Sequence, residues 1–125
     1  MAWTVILVDE VTEWYLNLAD HDRETAKLVA AAIDLLEAEG PALGRPLVDS
    51  IEGSSIHNMK ELRPSSRGRS EIRILFVFDP VRQAVLLVAG DKAGNWETWY
   101  RENLPLAERR YATWLSGGYS EERGV

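Results

Sequence analysis

Residues 60–80 read KELRPSSRGRSEIRILFVFDP, and residues 84–89 read AVLLVA. Across 71–79 the side chains alternate. Ile72, Ile74, Phe76 and Phe78 point one way, and Glu71, Arg73, Leu75, Val77 and Asp79 the other. That alternation predicts a strand. Residues 84–89 are apolar on both faces, as a central strand is, and Asp79-Pro80 starts the turn between the two. Residues 56–63 (IHNMKELR) read as the preceding strand, joined across the basic loop PSSRGRS at 64–70. If it pairs with 71–79, alternation places Arg63 and Arg73 on one open sheet face, while Lys60 shares the parity of Leu62.

Outward from this centre, WTVILV at 3–8 is a β-rich run. Val11, Trp14, Tyr15 and Leu18 then recur at helical spacing. A second helix, capped by Asp20 or Asp22, is dense in helix formers over 26–39. Leu28, Val29, Ala32, Ile33 and Leu36 form its apolar stripe, and Gly40-Pro41 ends it. Residues 41–55, rich in Gly and Pro, read as a connecting loop. Asn95 is placed to cap a helix from Trp96, and Pro105 to open another over 105–115. Residues 116–125 read as a frayed tail. The order β-α-α-β-β-β-α predicts one α+β domain over 1–115. It is a small, curved, mainly antiparallel sheet with two N-terminal helices packed on it and a C-terminal helix.

The 125 residues, 46% hydrophobic and 27% charged, suit one globular domain. No apolar run approaches the ~20 residues a membrane helix needs. The first residues carry no basic stretch and meet acid at Asp9 and Glu10, unlike a secretory signal. A soluble, cytoplasmic protein is expected. The absence of cysteine excludes disulfides, thiolate metal sites and thiol catalysis. His21 and His57 lie too far apart in sequence to suggest a histidine metal cluster. No P-loop, dinucleotide fingerprint, HExxH or GxSxG is present. The net charge of −6 is unevenly divided: residues 1–50 carry −7 and residues 51–125 carry +1. Within 60–73, Lys60, Arg63, Arg67, Arg69 and Arg73 face only Glu61 and Glu71.

Cations from adjacent strands, followed by Lys92 and then by Trp96 and Tyr100 one helical turn apart, suit a phosphodiester flanked by stacked bases. RNA can be cleaved at such a site without a metal. Its 2′-hydroxyl is the nucleophile, arginines stabilise the dianionic phosphorane, and a lysine crowded by arginines can share proton transfer. Each residue also has a plainer reading. Arg73 could serve only to pair with Glu71 or an acidic helix, Lys60 could be an edge lysine lying along apolar surface, and the aromatics could be core. His57 reads as a surface or capping residue.

The hairpin KELRPSSRGRSEIRILFVFDP, the strand AVLLVAGDKAGN and the helix WYRENLPLAERRY together resemble the RelE/ParE toxin superfamily over roughly 3–115. They most resemble its HigB-type members, including the phage-derived branch. The resemblance implies the fold just described and a ribosome-dependent, metal-independent mRNA endonuclease acting in the ribosomal A site. It implies no cofactor, and a cognate helix-turn-helix antitoxin as partner. Catalytic roles fall on Arg73, Arg63, Lys92 and Lys60, and RNA contacts on Arg67, Arg69, Trp96 and Tyr100. A ParE-like gyrase inhibitor and an inert partner-binding module remain as alternatives, because one fold serves several activities.

Overall fold

In a computed structural model, which describes residues 2–66 and 68–119, the expected α+β architecture is present. The elements are β1 (Thr4–Leu7), α1 (Asp9–His21), α2 (Arg23–Glu39), β2 (Val48–Ser50), β3 (Lys60–Leu62), β4 (Ile72–Asp79), β5 (Gln83–Asp91) and α3 (Trp96–Leu115). The sheet order is β1-β5-β4-β3-β2, antiparallel except where β1 runs parallel to β5.

The β4–β5 pair carries a bulge. Leu75 lies opposite Val88 but Phe76 opposite Leu86, so Leu87 is the extra residue. Leu75, Phe76, Leu86 and Leu87 are all fully buried, because helices cover both faces of this pair. The face of Ile74 and Phe76 also carries Leu7, which borders Tyr15 of α1 and Ala30 and Ile33 of α2. On the face of Arg73 and Leu75 lies α3, whose Trp99 abuts Gly90. That face, expected to be open, is therefore partly roofed.

Local chemistry explains most boundaries. Asp22 caps α2: its Oδ1 accepts from the Thr25 amide at 3.2 Å and its Oδ2 from the Thr25 hydroxyl at 2.6 Å. Gly40 ends it with φ 56°, and a Cβ there would overlap the Trp3 indole. Trp3 is itself held by its amide on the Glu37 carbonyl at 2.8 Å and by edge-to-face contact with Phe78.

Three expectations are corrected. The strand expected over 56–63 is limited to β3. Glu108 of α3 accepts from Ser54 Oγ at 2.8 Å and the Ser55 amide at 2.7 Å, and Met59 N turns back onto the Ile56 carbonyl at 3.2 Å. Part of the expected loop is strand β2, paired in full with β3. The expected break at Pro105 is absent, and α3 runs continuously for 20 residues. Pro105 sits on the exposed side, where water can satisfy the carbonyl it releases, while Leu104, Leu106 and Ala107 hold the helix to the core. Asn95 occupies the N-cap position of α3 without a side-chain cap bond; its carbonyl accepts from the Trp99 amide at 3.0 Å. Beyond α3, the first residues assigned to the tail form a turn in which Tyr119 is buried. Its hydroxyl bonds Glu10 Oε1 at 3.0 Å, tying the C-terminal turn to α1.

Two outcomes follow from these contacts. Gly40→Ala forces a positive-φ alanine against Trp3 and lowers unfolding free energy by about 1–3 kcal/mol, read by urea denaturation at unchanged slope. Burial, then the hydrogen bond and charge of Glu10, push the Tyr119 hydroxyl up to about 12. A raised folded value contributes stability that is full below the ordinary tyrosine range and lost as pH rises through it to the folded value. The alkaline fall in urea stability is accordingly shallower in Tyr119→Phe than in the parent.

Candidate nucleic-acid interface

The alternation of β3 and β4 gathers the cations. Glu61 lies opposite Leu75 in the ladder, so Glu61, Arg63 and Arg73 share the face over which α3 passes. At the centre is Glu61, with 0% exposure. Its Oε1 accepts from Arg63 Nε at 2.9 Å and lies 3.8 Å from Arg73 Nε, and its Oε2 accepts from the Tyr100 hydroxyl. Arg73 also donates from Nη1 to the Ile72 carbonyl at 2.8 Å, while its buried Nε has no hydrogen-bond acceptor among the described residues. Arg63 reaches Asp49 Oδ2 at 3.4 Å on neighbouring β2. The side chains of Arg63 and Arg73 are 35% and 15% exposed, so solvent reaches Arg63 more freely.

Aromatics extend the cluster. Gly90 admits Trp99 against β5, since a Cβ there would lie 2.7 Å from the indole nitrogen. Trp99 meets Tyr100 edge to face at 5.2 Å, and Trp96 meets Tyr100 at 6.5 Å. Lys92 Nζ is 6.0 Å from the Tyr100 ring centre and 3.1 Å from Glu71 Oε1. Trp96 is 57% exposed, at the first turn of α3, with a ring available for stacking. Arg63, Arg73, Lys92, Tyr100 and Trp96 thus form one connected group.

Other candidates stand apart. Lys60 points to the opposite face of the sheet, as its parity with Leu62 implied, and donates from Nζ to Ser50 Oγ at 3.3 Å. Arg69 is exposed in the turn between β3 and β4, and Arg67 lies outside the described residues. His57 is exposed in the loop before β3, and His21 Nδ1 sits 2.8 Å from the Asn17 carbonyl.

Charges balance locally: Arg63 faces Glu61 and Asp49, Arg73 faces Glu61, and Lys92 faces Glu71. Burial acts to lower the Arg63 value, but the Glu61 hydrogen bond and the nearby negative charges leave it raised, so its cation is secure. Burial, then the bond to Glu61, push the Tyr100 hydroxyl far above the usual tyrosine range. That hydroxyl is a hydrogen-bond donor, already committed to Glu61. The sequence alone singles out neither Glu61 nor Asp49. Strand parity with Arg63 could have marked Glu61, whereas Asp49 lay in a segment that read as loop.

The family described as phage-derived Gp49-like proteins matches residues 16–112, from the middle of α1 almost to the end of α3. This chain belongs to that family. Two Mycobacterium tuberculosis proteins make the relationship more specific. The protein named "Putative toxin HigB3" is 54% identical over 112 residues, covering 90% of this chain and 93% of its own length. The protein named "Putative toxin HigB2" is also 54% identical, over 116 residues, covering 93% of this chain. This chain spans 56% of HigB2. The expected kinship with HigB-type toxins is therefore shown.

Within this Gp49-like chain, Tyr100→Phe removes a hydrogen bond to a buried carboxylate. We expect it to lower stability by about 1.5–3 kcal/mol, measured as a fall in urea midpoint with unchanged slope.

Proposed function

We propose that this protein is the toxin of a type II toxin-antitoxin system and acts as a metal-independent, ribosome-dependent mRNA endonuclease. The observation that carries this reading is the placement of Arg63, Arg73 and Lys92 on one side of the sheet beside exposed Trp96. The relatives' toxin names support its coarser half.

In this mechanism the substrate supplies the nucleophile. The 2′-hydroxyl gives its proton to solvent water and attacks the adjacent phosphorus, negative charge accumulates on the non-bridging oxygens, and the bond to the 5′-oxygen breaks to leave a 2′,3′-cyclic phosphate. Arg63 and Arg73, permanently charged and planar, match two such oxygens. Trp96 stacks a neighbouring base and limits rotation of the attacking nucleotide. Lys92, on leaving Glu71, donates a proton to the departing 5′-oxygen. Exposed Arg69 contacts flanking backbone, as does Arg67 by its place in the same basic loop. Lys60, expected among the catalytic residues, lies across the sheet and has no part in this mechanism.

The neutralising partner in this reading is a helix-turn-helix antitoxin. The acidic N-terminal helices, with Leu16 and Leu35 exposed, offer it a surface away from the cation cluster. Among the described residues no helix is long and apolar enough to cross a membrane. The setting is the cytoplasm, where ribosomes are.

The test is a map of RNA 5′ ends on translating ribosomes incubated with purified protein. New ends inside A-site codons are expected, absent without ribosomes. Arg73→Ala should lower cleavage about 100- to 1,000-fold, as loss of one transition-state donor does. Intact messages together with a DNA-damage response would replace this reading with gyrase inhibition.

A further inference from the structure

Glu61 takes no part in the chemistry just described, yet it is the most buried charged group of the cluster. A carboxylate withdrawn from water is costly unless its partners are well placed. Its partners here are the two arginines assigned to the phosphate, together with α3. Oε1 bonds the Nε edge of Arg63 at 2.9 Å and faces the Nε edge of Arg73 at 3.8 Å, and Oε2 takes the Tyr100 hydroxyl. Arg73 Nη1 is fixed on the Ile72 carbonyl and Arg63 Nη2 is directed at Asp49. Arg63 Nη1 and Arg73 Nη2 make no hydrogen bond among the described residues, so each guanidinium keeps donors for a ligand.

We propose that Glu61 is a positioning residue. It holds Arg63 and Arg73 by their inner edges so that their remaining donors converge on the same phosphate, and Tyr100 fixes Glu61 from α3. Two guanidiniums repel each other, and a phosphate alone would have to gather them during reaction. A buried carboxylate between them gathers them beforehand, which removes reorganisation from the reaction step.

The proposal deepens the nuclease reading and rests on it. The competing view, that Glu61 merely neutralises the site, predicts the opposite sign. A less negative site would attract RNA more strongly and cleave it faster.

Single-turnover cleavage of mRNA on ribosomes with a defined A-site codon separates the two views. The full chain is compared with Glu61→Gln and Arg73→Ala, and cooperative urea unfolding confirms that each is folded. Glu61→Gln keeps the shape and an acceptor for Arg63 but loses the charge that holds both cations. Its saturating rate should fall about tenfold or more. Its half-saturating protein concentration should change by less than about threefold, because ribosome binding uses many other contacts. A folded Glu61→Gln that cleaves as fast as the parent, or faster, overturns the proposal while leaving the nuclease reading intact if Arg73→Ala is inactive. A parent protein that leaves the message whole overturns both. Should Glu61→Gln not fold, Tyr100→Phe keeps the carboxylate but frees it from α3. A lowered saturating rate in that variant supports the proposal, and an unchanged rate overturns it.

Discussion

The β4–β5 pair is buried on both faces, and that constraint shapes the molecule. A strand pair covered on one side could leave its other side to solvent. Here α1 and α2 pack against the Phe76 face, and α3 has to cover the Leu75 face as well. Ala84 to Val88 of β5 are accordingly all buried, including Leu87, the extra residue of the bulge. Arg73 is part of β4 and cannot leave this sandwich. It lies at the margin of the covered region with its side chain 15% exposed, and a buried counter-charge is the physical answer to that position.

The resulting cluster behaves differently from an exposed basic patch. Each of its cations has a carboxylate partner, so the long-range field of the site is weaker than its arginine count suggests. Local hydrogen-bonding capacity persists, because guanidiniums bound through one edge retain donors on another. Specific docking therefore depends on geometry at contact more than on attraction from a distance. That fits the net charge of −6, which disfavours indiscriminate attraction of polyanions.

The fold was largely legible because its centre follows simple periods. The alternation of β4, the apolar run of β5 and the Asp22-to-Gly40 limits of α2 each have a local cause. What could not be read was imposed from a distance. Val48–Ser50 has no periodicity of its own and is a strand because β3 lies beside it. Ile56 looks like part of a strand, but Glu108, far along the chain, holds the preceding serines in a turn. Pro105 is a sound local reason to end a helix, and core packing outweighs it. In the site, parity placed Arg63 with Arg73 and separated Lys60 from them. The same parity applied to Glu61, but a charge beside arginines reads as a surface counter-ion until α3 is known to roof it.

The continuity of α3 through Pro105 ties these features together. Tyr100 and Glu108 lie on either side of the proline, and both reach the segment around β3. Tyr100 bonds Glu61 within the strand, while Glu108 bonds Ser54 and Ser55 in the loop that leads into it. Further along, Arg110 donates to the Leu87 carbonyl at 2.9 Å and lies 3.7 Å from Glu10 of α1. One continuous helix can hold these points in fixed relation, whereas two helices hinged at Pro105 would let them move independently. A three-residue strand such as β3 has little pairing energy of its own. Its position, and with it the separation of Arg63 from Arg73, depends on α3 reaching both the strand and the loop that precedes it.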